Sequence, residues 1–332
     1  MQFSKIEVKQ LHKTYHVPQR EAGFKASLQG LFKPNYQDVP AVKPLDFVVE
    51  SGEMVALIGP NGAGKTTTLK MLTGLLYPSG GEINIFGFNP SERKPAFLRS
   101  ISMVLGNKSQ MLWDIPPLDS FFVLAEIYTI PKGEAVSRIN ELVEMLEMRE
   151  ILKKPVRNLS LGERMKCELV ASLLHRPKVL FLDEPTLGLD INIQNRLRHF
   201  ILEYNHRYGA TVLLTSHYMA DIERLCSRVL LIHHGELLYD GQLSGLNQMI
   251  EPIKMIRVTL SQQNGRIPKP DWLPASAEIV SQEKQHLHLR VAQNEAAACT
   301  AALLHNLPVA DLIVEAPPLE TVIDRIYQDG DL

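Results

Sequence analysis

Cysteine is scarce. Cys167, Cys226 and Cys299 are the only three in 332 residues, they lie far apart, and none belongs to a C-x-x-C pair. That spacing excludes a disulfide framework and a zinc-ligand set, and it suits a reducing cytosol. Long apolar runs are absent as well. None approaches the ~20 residues that cross a bilayer, so any membrane role has to be borrowed from a partner. The opening MQFSKIEVKQ lacks the apolar core of a signal peptide. Nor does charge of one sign accumulate, since 35 Lys and Arg stand against 37 Asp and Glu for a formal charge of −2. A protein that holds nucleic acid mainly by neutralising phosphates carries a basic excess, so no nucleic acid is expected as a partner. What is present is an ordinary globular balance, 45% hydrophobic and 22% charged. At roughly 150 residues per domain, the length corresponds to about two domains.

Pattern separates the two. Residues 1–246 alternate short apolar strands with amphipathic helices, as an α/β domain with a largely parallel sheet does. Residues 54–58, 179–182, 212–214 and 229–232 are continuous apolar runs, the signature of strands covered on both faces. Within this domain about 108–175 reads as a mostly helical subdomain, where Val136, Ile139, Leu142, Val143 and Leu146 form one apolar stripe. From 247 to 332 the texture changes. Ile256, Val258 and Leu260 alternate with polar residues, as do Leu287, Leu289 and Val291, so half-exposed antiparallel strands are expected there. With helices at 294–305 and 318–327 and a strand at 311–315, this is a small α+β domain.

Gly59, Pro60, Asn61, Gly62, Ala63, Gly64, Lys65, Thr66 and Thr67 follow the first apolar run and open a helical stretch. This is G-x-x-x-x-G-K-[ST] in its strand–loop–helix context. The glycines let backbone N–H groups curl around phosphate oxygens, and the helix N-terminus adds partial positive charge. Lys65 supplies a full charge, and Thr66 offers a hydroxyl to Mg²⁺. A second apolar strand delivers Asp183 and Glu184 at its carboxyl end, where open α/β sheets place ligands. Asp183 suits the Mg²⁺ shell, and Glu184 suits a base acting on the attacking water.

The remaining motifs carry a family resemblance. Asn158-Leu-Ser160-Leu-Gly162-Glu163-Arg164 resembles the signature loop of ATP-binding cassette (ABC) ATPases. Asp183-Glu-Pro-Thr-Leu-Gly-Leu-Asp190 is similar to that family's second box and dimer-contacting Asp loop, and Thr215-Ser-His217 to its switch histidine. The resemblance covers about residues 5–246, and its texture is that of nucleotide-binding subunits of bacterial export-type transporters. It implies a P-loop NTPase ABC ATPase fold, a RecA-like core with a helical subdomain, and ATP hydrolysis with ATP and Mg²⁺ bound. It also implies integral membrane subunits as partners at the cytoplasmic face, and a second nucleotide-binding subunit, in the first instance another copy of this chain. Two chains then sandwich two ATP molecules. On this resemblance Lys65, Glu184 and His217 are catalytic, with His217 contacting the γ-phosphate and holding the water–Glu184 geometry. Ser160 and Gly162 bind the γ-phosphate of the opposing subunit, and Asp190 contacts that subunit's phosphate loop. Tyr15 matches the aromatic that stacks on adenine, with core packing as its other reading.

The chain departs from the family pattern in places. Leu161 and Glu163 replace the usual first Gly and the Gln of the signature, and Glu163 brings like charge toward a phosphate. The Gln that joins the Mg²⁺ site to the helical subdomain has no clean match. Asn107 is preferred for it over Gln110. Residues 16–41 exceed a minimal cassette, and Phe24, Leu28, Leu31 and Phe32 share one helical face. That face either meets the lipid interface or a transmembrane subunit, or packs on its own domain. Met111-Leu-Trp113-Asp114 lies where the family receives a coupling helix; an exposed Trp113 suits a docking groove there, and a Trp buried in the helical core is the other reading. The alternatives are a soluble ABC ATPase acting on ribosomes or DNA, and a non-catalytic regulatory module. One phosphate loop and balanced charge stand against the first, and intact Lys65, Asp183, Glu184 and His217 stand against the second.

Overall fold

Two antiparallel arms open the chain. β1 (Lys5–Gln19) and β2 (Asn35–Glu50) pair from Lys5 opposite Glu50 out to Gln19 opposite Asn35. The computed structural model describes residues 5–19, 35–106, 109–248, 252–261 and 270–330. Phe24, Leu28, Leu31, Phe32 and Asn107 therefore lie outside the described residues. β3 (Met54–Ile58) is buried along its whole length and runs into the loop that starts α1 (Lys65–Leu72). β4 (Gly80–Ile85) returns to pair with β1 and completes a three-stranded antiparallel sheet, β2-β1-β4. Ile6, Val8, Leu45, Phe47 and Val49 turn inward from it.

A second sheet holds the site. β5 (Ile101–Leu105) is followed by three helices, α2 (Pro117–Ile127), α3 (Lys132–Met145) and α4 (Leu161–Leu173). β6 (Val179–Asp183), α5 (Ile191–Tyr208), β7 (Thr211–Thr215), α6 (Met219–Leu225), β8 (Arg228–His233) and β9 (Glu236–Gln242) follow. The strand order is β5-β6-β7-β3-β8-β9, parallel throughout except for the antiparallel edge pair β8–β9. β3, β6 and β7 are buried at every position, which is why their sequences run apolar without alternation. Leu57, Phe181, Leu213 and Leu230 share one core with Ile6, Leu45 and Phe47 of the antiparallel sheet. Each such side chain contributes roughly 1.5–3 kcal/mol when fully buried. The strands that carry the site's loops are thus anchored within a residue or two of those loops. On α3 the stripe is shifted from the predicted one: Ala135 is buried and Val136 is 40% exposed, while Ile139, Leu142, Val143 and Leu146 are inside.

The described residues divide into two units, Met1–Leu243 and Ser244–Leu332. In the second, β10 (Ile253–Leu260), β11 (Glu278–Glu283), β12 (His286–Ala292), α7 (Ala296–Asn306), β13 (Val309–Glu315) and α8 (Leu319–Gly330) occur in that order. Its sheet is antiparallel, β11-β12-β10-β13. Ile256, Val258, Leu260, Leu287, Leu289 and Val291 close over Ala296, Cys299 and Leu303 of α7. The opposite face carries cross-strand pairs, Arg257 with Glu315 at 2.6 Å and Arg290 with Glu278 at 2.5 Å. β11 escapes the sequence pattern because only Ile279 and Val280 in it are large and apolar. Among the described residues no group of three metal-ligating side chains occurs, His286 and His288 included, and no helix is long and apolar enough to cross a membrane.

Candidate nucleotide site

The phosphate loop leaves β3 between its two parallel neighbours, β7 and β8. Gly64, the N-cap of α1, has φ +104°, and a Cβ there would stand 2.7 Å from the Ala41 carbonyl oxygen. Only glycine fits a left-handed residue with the backbone so close. Gly62 is also left-handed at φ +84°. The loop is thereby bent sharply at two left-handed glycines, one of which has no room for a side chain. Lys65 is nearly buried, and its Nζ donates to the carbonyls of Gly59 at 2.6 Å and Pro60 at 3.0 Å. Burial lowers its pKa, against the pull of Glu184 and Asp183. Thr67 sits on the first turn of α1.

Beside this loop β6 ends in Asp183 and Glu184. The Thr66 hydroxyl donates to the Asp183 carboxylate, 3.0 Å from each oxygen, and the Thr215 hydroxyl donates to Asp183 Oδ1 at 2.8 Å. The Glu184 N–H donates to Thr215 Oγ1 at 3.1 Å. Glu184 has φ +54°, a left-handed conformation that costs a non-glycine residue of order 1–3 kcal/mol. It turns the side chain so that Oε1 lies 2.8 Å from His217 Nε2. A cavity of about 200 Å³ opens here, lined by Thr66, Lys70, Leu105, Gly106, Asp183, Glu184 and Leu187. Lys65, Thr66, Asp183, Glu184 and His217 thus meet at the carboxyl ends of three neighbouring strands. A hydroxyl and a carboxylate aimed at each other are the hard oxygen donors that Mg²⁺ takes, and a glycine-bent loop with one ammonium fits a polyphosphate.

The other predicted residues sit on separate elements. Ser160 caps α4: its Oγ accepts from the Glu163 N–H at 3.3 Å, and Glu163 Oε2 accepts from the Ser160 N–H at 2.8 Å. The bond to the Ser160 backbone, above all, holds the Glu163 carboxyl below the usual range. The charge feared at the signature is therefore turned back onto its own helix terminus, and the S-x-x-E spacing announces this. Gly162 faces Ile193, where a Cβ would come within 3.1 Å of that side chain. Asp190 caps α5, accepting from the Asn192 and Ile193 N–H groups at 3.0 Å each. No hydrogen bond or ion pair among the described residues joins Ser160, Gly162 or Asp190 to Lys65 or Glu184. Tyr15 is 37% exposed with the Lys13 ammonium 5.3 Å from its ring centre, which excludes core packing for it. Trp113 is half-exposed, with the Arg164 guanidinium 5.1 Å from its ring centre. Cys167 is buried, and burial pushes its thiol up to about 12.

One polar residue escapes sequence reading. Glu168, buried in α4, accepts from the Ser109 hydroxyl, the Gln110 N–H at 3.0 Å and the Met111 N–H at 3.4 Å. Burial raises its pKa, and those three donors oppose the rise. Gln110 Nε2 lies 3.4 Å from the Met103 carbonyl oxygen. The segment after β5 is thereby fastened to the signature helix.

Comparison with known proteins places the chain. Residues 42–187 match the ABC transporter family model, and residues 252–315 match the EvrA-like ABC transporter C-terminal domain. The ATP-binding protein NatA of Bacillus subtilis is 34% identical over 215 residues, 65% of this chain and 87% of that one. The linearmycin resistance ATP-binding protein LnrL of the same species is 28% identical over 296 residues, 87% of this chain and 94% of that one. A solved structure described as the ATP binding subunit of an ABC transporter superposes with a TM-score of 0.60 at 28% identity, covering 74% of this chain and 92% of that one. The chain belongs to the ABC transporter ATP-binding family. It is an ATP-binding subunit of a transporter, and its activity is ATP hydrolysis coupled to transport.

Proposed function

We propose that the chain powers an export-type transporter from the cytoplasmic face of the membrane, with Mg²⁺ as its metal and two copies closing over two ATP molecules. The reading rests on the convergence of Lys65, Thr66, Asp183, Glu184 and His217 at one sheet edge, above all on the 2.8 Å contact between Glu184 and His217. The phosphate-loop N–H groups and the Lys65 ammonium hold the β- and γ-phosphates. Thr66 and Asp183 hold the metal, which when bound neutralises charge on the phosphates. Glu184 takes the proton of the attacking water, and His217 fixes the Glu184 carboxylate and reaches the γ-phosphate. Tyr15 stacks on adenine from its exposed position on the hairpin. Ser160, Gly162 and the N-terminus of α4 offer donors to the γ-phosphate held by the opposing copy, and Asp190 faces that copy's phosphate loop.

Such an arrangement makes a lone chain nearly inactive, because each site is completed by the other's signature. Closure of the pair pulls on the membrane subunits, and hydrolysis releases it. Export is supported by the resistance function in the name of LnrL, a relative matched along nearly its whole length. Trp113 and its loop are the surface for the membrane subunit, and 247–332 is an accessory domain. Affinity purification of the tagged chain from detergent-solubilised membranes of its host tests the reading. A stoichiometric polytopic membrane protein is expected among the recovered partners. Recovery with ribosomes or nucleic acid, and no membrane protein, would contradict it.

A further inference from the structure

β6 and β7 are paired in register up to Asp183 opposite Thr215, and beyond that point each strand gives way to an irregular turn. One turn carries Glu184, left-handed at φ +54°, and the other carries His217. The last link to β7 is the Glu184 N–H, which donates to the Thr215 carbonyl oxygen and hydroxyl at 3.1 Å each; it fixes where the Glu184 turn starts, while the His217 turn lies beyond the last strand pair. A single buried carboxylate does bridge the two turns. Asp221, on α6 and 1% exposed, accepts the Thr186 hydroxyl from the Glu184 turn on Oδ2. The same oxygen accepts the Ser216 hydroxyl from the His217 turn at 2.5 Å. Its other oxygen takes the Arg198 Nε at 2.5 Å. All four side chains are buried.

A buried carboxylate needs its cation, since an unpaired charge inside a protein is strongly destabilising, and Arg198 meets that need. The two hydroxyls are not required for charge balance, yet both converge on one oxygen from the two turns. Ser216 Oγ also accepts the Tyr218 N–H at 3.0 Å, which fixes the direction in which the His217 turn leaves β7. Gln194 braces the first turn from behind: its Nε2 donates to the Leu189 carbonyl oxygen at 3.1 Å, while its Oε1 accepts from Arg198. We infer that Asp221 is a positioning residue for hydrolysis, its carboxylate tying the Glu184 turn to the His217 turn and thereby setting their contact. The inference rests on the proposed roles of Glu184 and His217. It adds that the geometry of the pair is held from the side away from the nucleotide.

Replacing Asp221 itself strands Arg198 and risks misfolding, so the test cuts the two hydroxyl links instead. Thr186→Val and Ser216→Ala each remove one link and leave the ion pair standing. Single-turnover ATP hydrolysis, nucleotide affinity and thermal unfolding are measured for each variant, for the double variant and for Glu184→Gln. A displacement of about 1 Å at a reacting group costs of order 10²-fold in rate, so each single variant is expected to lose roughly ten- to hundred-fold in kcat. ATP affinity stays within about two-fold, since neither hydroxyl touches the phosphate loop. The double variant is expected to match the slower single variant, because either cut already opens the one bridge. Unchanged turnover in the single variants, or losses that multiply in the double, with Glu184→Gln inactive, would overturn the inference and leave the roles of Glu184 and His217 in place. A Glu184→Gln protein that turns over normally would overturn both.

Discussion

Lys65 bends back over its own loop, donating to Gly59 and Pro60, and in the proposed function phosphate oxygens take the ammonium from those carbonyls. Lys65→Ala is expected to weaken ATP binding by at least about ten-fold, in line with the worth of a charge-assisted contact, as read by fluorescent-nucleotide titration. Unchanged affinity would remove Lys65 from the phosphate site. Glu163 lends itself to a pH test. Its carboxyl is held below the usual range by the Ser160 N–H, so the ionised form is favoured by folding. The stability this contributes is present above the ordinary glutamate value and is lost as pH falls through the lowered one. Glu163→Gln keeps an acceptor for the Ser160 N–H but does not titrate, so its melting temperature should fall less than the wild type's on acidification. Glu163→Ala should cost about 1 kcal/mol at neutral pH, roughly 2–4 °C. Parallel acid slopes in wild type and Glu163→Gln would contradict the assignment. The core of the site is legible in sequence because Lys65, Thr66, Asp183 and Glu184 each lie within two residues of an apolar strand or glycine loop that fixes them. Glu168 is not legible, because its donors come from 57–59 positions away.

At the level of elements, α4 is fastened at two points in its first half, by the Ser160–Glu163 box and by Glu168 to residues 109–111. Glu168→Ala leaves the Gln110 N–H without its acceptor, a loss of about 1–3 kcal/mol if the group stays buried, while the Met111 N–H keeps the Ser109 hydroxyl at 3.1 Å. Faster amide exchange at Gln110, with the α1 amides unchanged, is the expected outcome. Unaltered protection at Gln110 would mean that another group holds the segment. The antiparallel arms show what pattern reading misses. Pro18, Pro40 and Pro44 fall within β1 and β2, and proline in a run argues against a strand unless the strand lies on an edge. β1 also shifts register three times against β2, which breaks the period of two. The helical stripe of α3 is read correctly at four of its positions and misplaced at Val136, because Ala135 is too small to register as apolar while filling the same inward position. In the second unit, the alternation of β10 and β12 is plain in the sequence because one face is wet and the other packs on α7.

For the molecule as a whole, the parallel sheet brings the carboxyl ends of β3, β6 and β7 side by side, so three loops distant in sequence build one site. The signature residues Ser160 and Gly162 make no hydrogen bond to Lys65 or Glu184 among the described residues. Around them Leu161, Leu187 and Ile191 are 44%, 48% and 69% exposed, an apolar rim beside Ser160 and Asp190. Apolar side chains in such positions are consistent with burial against a second copy, as the proposed sandwich requires. The most direct measurement is light scattering of the Glu184→Gln chain with and without ATP, alongside its rate of hydrolysis. The account predicts a monomer that becomes a stable dimer of twice the mass on adding ATP, with turnover abolished. A chain that stays monomeric in ATP and hydrolyses it at the wild-type rate would contradict it.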